Sequence, residues 1–348
     1  MSRPLEQQAA LDFVLALRQR WAQRLYPHVR SQLDDSHRTG ADTPEKLAAA
    51  VHALPSYRWF AWLERGSQKM LWRAVSAAVA CEDAGEGTRA PPCATLELDP
   101  SLQLPDWYTE WDIHLQPGGV WSSDTAARVY ELGAKLVMLG ENDDYLFHRL
   151  FASTALPSHR YRCIVDLGCG FGKSTWVLKK TFPEAEVVGV DLAASCLRLA
   201  AQRADEQRLQ IHFKQADAAA TGLGTGSADL VTSTMLVHEL PLSVLPQLFT
   251  ECARLLAPGG VLRFLDFQFT GDAFRDLAML EHGQRNNEPY LPPMMAADLT
   301  AMASDAGLDG ARWSAFDERA AGRLGELRWP VRAEWHFPWA VLEAEKPA

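Results

Sequence analysis

The sequence predicts an α/β protein, a parallel and doubly wound sheet behind an all-helical N-terminal cap. Three observations carry this. Before residue 90 apolar residues recur at helical spacing and never alternate at strand period. From Arg162 onward short apolar runs alternate with helical segments, the pattern of βαβ units. The first of those runs ends in a glycine-rich turn, Gly168-Cys169-Gly170-Phe171-Gly172, and glycines let backbone come close to a ligand at a strand-to-helix turn. The length of 348 residues suits two domains, or one enlarged by an appended cap. We expect a helical cap with linker over 1–100, a connecting or lid segment over 101–160, and the sheet domain over 161–348.

Composition narrows the function classes. With 47% apolar and 22% charged residues, the chain is neither disordered nor collagenous. The net charge of −10 is uneven, because residues 1–80 hold eleven Lys and Arg against seven Asp and Glu. An acidic body repels phosphate backbones, which argues against a nucleic-acid partner. The six cysteines show no C-x-x-C pair, so no zinc ribbon or dithiol redox site is expected. No secretory pattern and no apolar run of eighteen residues appear, which leaves the cytoplasm as the expected location and no membrane partner. Nothing in the pattern specifies an oligomer.

The elements follow in order. Leu11, Val14, Leu15, Trp21 and Leu25 place a helix over 5–30. Thr43-Pro44-Glu45 opens a second, which Pro55 interrupts, and a third spans 57–80. Residues 81–105, with Gly85, Gly87, four prolines and five acids, read as a linker. A short strand over 107–115 ends in the Pro117-Gly118-Gly119 turn. Ser122, Ser123 or Asp124 caps a helix over 125–139 that Gly140 stops. Strands are then expected over 163–166, 186–190, 209–214, 229–233 and 261–267, with helices over 173–180, 193–208 and 243–256. Helices over 272–284 and 294–306 and strands over 310–316 and 335–344 close the chain.

The glycine turn discriminates among ligands by spacing. Gly172-Lys173-Ser174 matches the end of a nucleotide-triphosphate loop, but the required first glycine falls on Leu167. A dinucleotide fingerprint starting at Gly168 needs a small residue where Lys173 stands. The spacing that fits is Asp166-x-Gly168-x-Gly170-x-Gly172. With it come Asp191 at the end of the second strand, Gln215-Ala216-Asp217-Ala218 after the third, and Leu255-Leu256-Ala257-Pro258-Gly259-Gly260 before the fifth. This ordered set resembles the class I S-adenosylmethionine (SAM)-dependent methyltransferases over about residues 160–346.

The resemblance implies a Rossmann-like, seven-stranded methyltransferase sheet and an enzyme that turns SAM into S-adenosylhomocysteine. It assigns Asp166, Gly168, Cys169, Gly170 and Gly172 to the methionine end of SAM, Asp191 and Leu192 to the ribose, and Asp217 and Ala218 to the adenine. Thr234 would line the same site. After the fourth strand, His238 and Glu239 are the candidate general base and its partner. His238-Glu239 is no zincin motif, because Leu242 stands where the second histidine is needed, and no metal is expected. Asp266, Arg285, Asn287 and Tyr290, with Tyr108 and His114 from the lid segment, are candidates to touch the acceptor. A small molecule methylated on O, N or C is the expected acceptor. Protein or RNA methylation and a non-catalytic SAM-binding scaffold are the alternatives.

Overall fold

The computed structural model describes residues 3–36, 43–82, 91–142 and 144–348. The N-terminal stretch is helical as its spacing predicts. Helix α1 (Leu5–Arg20) runs through a π-helical turn (Trp21–Leu25) into α2 (Tyr26–Ser36). Thr43 caps α3 (Pro44–Ala53), accepting from the Lys46 amide, and Pro55 opens the long α4 (Pro55–Glu82). Gly85 and Gly87 of the expected linker lie outside the described residues.

Downstream the linker reading needs correction. Thr95–Glu97 forms β1, which pairs parallel with β4 (His212–Gln215) at the sheet edge. The strand expected over 107–115 is absent. Pro105 instead starts a single helical turn, α5 (Asp106–Thr109), and Ile113–Leu115 is a 3₁₀ turn. His114 and Leu115 there both have positive φ, 57° and 62°, a conformation that breaks strand period and costs non-glycine residues energy. Ser123 caps α6 (Asp124–Val137), accepting from the Ala126 amide. Helix α7 (Leu146–Thr154) carries a buried Phe147–Phe151 face that the sequence reading passed over.

The rest alternates as expected: β2 (Cys163–Leu167), α8 (Lys173–Thr181), β3 (Glu186–Asp191), α9 (Ala194–Glu206), β4, β5 (Ala228–Thr234), α10 (Leu245–Leu255) and β6 (Leu256–Phe267). Then come α11 (Ala273–Arg285), α12 (Leu291–Ala296), α13 (Leu299–Asp305), β7 (Asp309–Asp317), β8 (Gly322–Arg323) and β9 (Trp339–Glu345). The single helix expected over 294–306 is two, because Ala297 is extended and Asp298 caps a fresh start through the Ala301 amide. The last strand begins later than expected, after Pro338, which has no N–H for the ladder.

Strand order is β1-β4-β3-β2-β5-β6-β9-β7-β8. Without the two short edge strands this is the seven-stranded Rossmann-like order, parallel except for β9, which runs antiparallel between β6 and β7. The order reverses between β2 and β5, and ligands of open α/β sheets bind beyond the carboxyl ends of strands at such a switch point. Trp21, Tyr26, Val51 and Phe60 from the N-terminal helices share one apolar core with Ile164, Val231 and Leu265 of the sheet. Among the described residues no helix is long and apolar enough to cross a membrane.

One contact ties the N-terminal helices to the ligand side. A Cβ on Gly133 of α6 would lie 2.2 Å from the Trp72 ring of α4, and Trp72 donates through Nε1 to the His114 carbonyl at 2.6 Å. Alanine normally gains about 1 kcal/mol over glycine inside a helix. Here overpacking costs about 1–3 kcal/mol and the displaced indole loses its hydrogen bond as well. Gly133→Ala is therefore expected to lower the thermal midpoint, read by circular dichroism.

Candidate active site

The glycine turn joins β2 to α8 with Gly168, Gly170 and Gly172 all left-handed, at φ 65°, 52° and 90°, a region open to glycine without the usual cost. Gly168 has a second reason. Its added Cβ would lie 2.7 Å from the Leu236 side chain, because Met235, itself at φ 60°, turns the chain after β5 back over the glycine loop. Beyond the strand ends lies a cavity of about 1480 Å³, counting the part open to solvent, and Gly168, Cys169 and Gly170 form one wall of it.

Two acids and their neighbours continue that wall: Asp191, Leu192, Asp217 and Ala218. The Asp191 oxygens accept from the Gly170 amide and the Ala193 amide, each at 2.8 Å. A carboxylate has about four lone-pair sites, so two remain for a ligand. Burial, offset by those amides, pushes its pKa up to about 6. Asp217 accepts from the Ala219 amide at 2.8 Å, which makes it a turn cap as well as a wall residue. If the Asp191 carboxylate takes a ligand's hydroxyl protons, affinity holds above pH 7 and falls as pH drops through about 6, where the acid protonates. The expected result is a dissociation constant for S-adenosylhomocysteine that weakens below pH 6 in calorimetry, with a smaller slope in Asp191→Asn.

Facing the glycine turn is the loop after β5. Thr234 lines the cavity and Val237–Glu239 forms a 3₁₀ turn anchored by Asp266. That acid, fully buried near the end of β6, accepts from the Val237 amide at 2.8 Å and from His238 Nδ1 at 2.8 Å. His238 is thereby held with Nε2 turned toward Glu239, 4.0 Å from its Oε1. Burial alone would lower the His238 pKa. The Asp266 charge and hydrogen bond, with Glu239 and Glu288 behind them, outweigh it and raise the pKa above 6.5.

The cap closes the remaining side. His114 Nδ1 is 2.9 Å from Glu288 Oε1 and Nε2 is 3.1 Å from Glu239 Oε1. Burial works against its charge, but the two carboxylates raise its pKa to about 10, so it is an imidazolium at neutral pH. Tyr108 and Tyr130 also line the cavity. Burial, then the charges of Asp191 and Glu239, push both phenols well above 10, so both stay protonated. His148, another wall residue, is driven well below 6.5 by burial and then Lys173, and is neutral.

Several expected contacts lie elsewhere. Asp166 does not line the cavity; it is buried beneath the turn, where Oδ2 accepts from Ser174 at 2.6 Å and Thr175 at 2.7 Å. Gly172 is a packing glycine whose Cβ would meet Trp176 at 2.8 Å. Asp266 stands behind His238 and does not line the cavity. Arg285 is spent on Glu64 and Glu281, Asn287 donates to the Asp112 carbonyl at 3.3 Å, and Tyr290 donates to the Trp107 carbonyl at 3.2 Å. The last two fasten the lid segment, and Arg285 ties α11 to α4. Their neighbours His282 and Glu288 reach the cavity instead, with Phe267, Phe337, Trp339 and Tyr130. Sequence spacing groups these polar residues in one insert, and only the fold separates inward from outward side chains. Tyr130 sits in an amphipathic helix where nothing marks one aromatic from another.

Residues fit for SAM can be tested on the wall itself. The turn brings bare backbone to the cavity at Gly168 and Gly170, Asp191 and Asp217 stand on the same wall, and Asp166 Oδ1 is a buried oxygen with no hydrogen-bond partner. A nucleoside with a diol, an amino group and a cationic tail suits this set. Residues 164–260 match the family model described as a methyltransferase domain. Over this stretch the chain is similar to the class I SAM-dependent methyltransferases. Among curated methyltransferases, the chain is 34% identical over 145 residues to a demethylmenaquinone methyltransferase of Thermus thermophilus, covering 42% of this chain and 63% of the relative. It is 38% identical over 109 residues to a trans-aconitate 2-methyltransferase of Methylobacterium radiotolerans, covering 31% and 38%. The chain thus spans between about two fifths and three fifths of these relatives. A solved phosphoethanolamine N-methyltransferase 2 of Haemonchus contortus superposes with a TM-score of 0.48 at 17% identity, over 70% of this chain and 61% of that one. Among the described residues, no group of three or more His, Cys, Asp or Glu side chains is arranged to hold a metal ion.

Proposed function

We propose that this methyltransferase methylates a small molecule held between the carboxyl edge of the sheet and the helical cap. The observation that carries the reading is one cavity with the glycine turn, Asp191 and Asp217 on one wall and His238 with Glu239 on the facing loop. Asp191 takes the ribose hydroxyls of SAM, Asp217 its adenine amino group, and Gly168 and Gly170 make room for the methionine end, with Asp166 as buried counter-charge. The bound donor supplies a sulfonium methyl: the C–S pair stays on sulfur, the acceptor's lone pair forms the new bond, and one proton leaves the acceptor.

The chain's own residues align and deprotonate. The closed cavity holds the acceptor on line with the methyl group, a proximity effect worth up to about 7–11 kcal/mol. His238 Nε2 takes the acceptor proton while Asp266 fixes the tautomer through Nδ1 and balances the charge that forms. Tyr108 and Tyr130, protonated and beside Asp191 and Glu239, donate to whatever oxygen or nitrogen acceptor lies between them. Residues 1–100 act as the cap and 101–160 as the lid segment. Calorimetry of the purified chain is expected to show one site for S-adenosylhomocysteine and no heat with NAD⁺. Heat with NAD⁺ alone would overturn the reading.

A further inference from the structure

We propose that the acceptor is an amine carried on a flat apolar body, in contrast to a polycarboxylate; this rests on the methyltransferase reading and names its substrate class. The cavity is lined by four carboxylates, Asp191, Asp217, Glu239 and Glu288, and among the described residues no arginine faces it. Its positive groups are committed. His114 has a carboxylate oxygen within hydrogen-bond distance of both ring nitrogens, so both carry protons and neither is left for a ligand. His238 is matched by Asp266 at 2.8 Å. Lys173 also lines the cavity, at the glycine turn, and lies over the Tyr145 ring at 5.6 Å.

What the cap wall has to spare is acceptors. Both Glu239 and Glu288 use Oε1 for His114, and the second oxygen of each takes no hydrogen bond among the described residues. Glu288 is 4% exposed and lines the cavity, so its second oxygen is open to the cavity, where a bound donor can reach it. An amine brings two or three donors and a hydroxyl brings one, so two unspent carboxylate oxygens match an amine. A carboxylate placed there would meet like charges in a poorly screened site. Rings form part of the remaining surface: Trp107, Phe267, Phe337 and Trp339 line the cavity, with Phe267 stacked on Trp339 at 4.4 Å. Such faces take a planar apolar body and attract a cation.

The test is calorimetry on the full chain, with and without saturating S-adenosylhomocysteine, using two matched sets. One is tryptamine, tryptophol and indole-3-propionate; the other is phenethylamine, 2-phenylethanol and 3-phenylpropionate; trans-aconitate is added to both. In each set the amine is expected to bind at least about tenfold more tightly than the acid, the span of one charge-assisted hydrogen bond. Glu288→Gln is expected to remove most of that preference while S-adenosylhomocysteine affinity stays put, and Glu239→Gln serves the same purpose if the first variant fails to fold. Acids or trans-aconitate binding as tightly as amines would overturn the inference, as would alcohols matching amines, or no amine binding up to about 10 mM. S-adenosylhomocysteine giving no heat would instead count against the methyltransferase reading, so the two failures separate.

Discussion

Asp191→Ala is expected to weaken S-adenosylhomocysteine binding about 100-fold, some 2.7 kcal/mol, with the fold intact. The carboxylate has two lone-pair sites left after the Gly170 and Ala193 amides, and each hydroxyl bond to a charged acceptor contributes about 1.5–3 kcal/mol. Solvation of the freed hydroxyls returns part of this. The variant also strips the Gly170 amide of its partner, which loosens the turn against which the methionine end packs. Asp191→Asn keeps one carbonyl acceptor and should fall between the two. A fluorescence or calorimetric titration of both variants gives the order. If wild type and alanine variant bind alike, the ribose is held elsewhere.

His238→Ala is expected to lower kcat about 10²–10⁴-fold, the usual contribution of a positioned base, while leaving cofactor affinity unchanged. The pH profile carries the sharper prediction. Asp266, Glu239 and Glu288 together raise the His238 pKa above 6.5, and the base works as neutral imidazole. Turnover should therefore be low in acid and climb as pH rises through that raised value. Asp266→Asn removes the nearest negative charge, so the inflection should move to lower pH while the plateau drops through lost orientation. An inflection that stays in place in the variant would show that His238 is not the group being titrated.

The sheet was legible because its strands are short apolar runs between helices, and β2, β3 and β5 fall within a residue or two of their expected limits. The glycine wall was legible for a related reason: glycine spacing and a terminal acid are local in sequence. Edge strand β1 was not, since all three residues of Thr95–Glu97 are exposed and the strand gains its ladder only from β4, far downstream. The segment 107–115 resembles a strand in sequence, but Trp107, Tyr108 and His114 line the cavity and the His114 carbonyl accepts from Gln68 and Trp72 of α4, with no neighbouring strand among the described residues. The same limit applies to Glu288 and Arg285. Both are polar residues of one insert, and only the fold shows that Glu64 has claimed the arginine while the glutamate faces His114.

Methyl transfer to a small molecule can be followed by incubating the purified chain with methyl-labelled SAM and a fractionated cell extract and locating the label. The expected result is label in the low-molecular-weight fraction, accumulating at least about 100-fold more slowly when His238→Ala replaces the wild-type chain. Label recovered only in protein or RNA, or in no fraction while S-adenosylhomocysteine still binds, would contradict it.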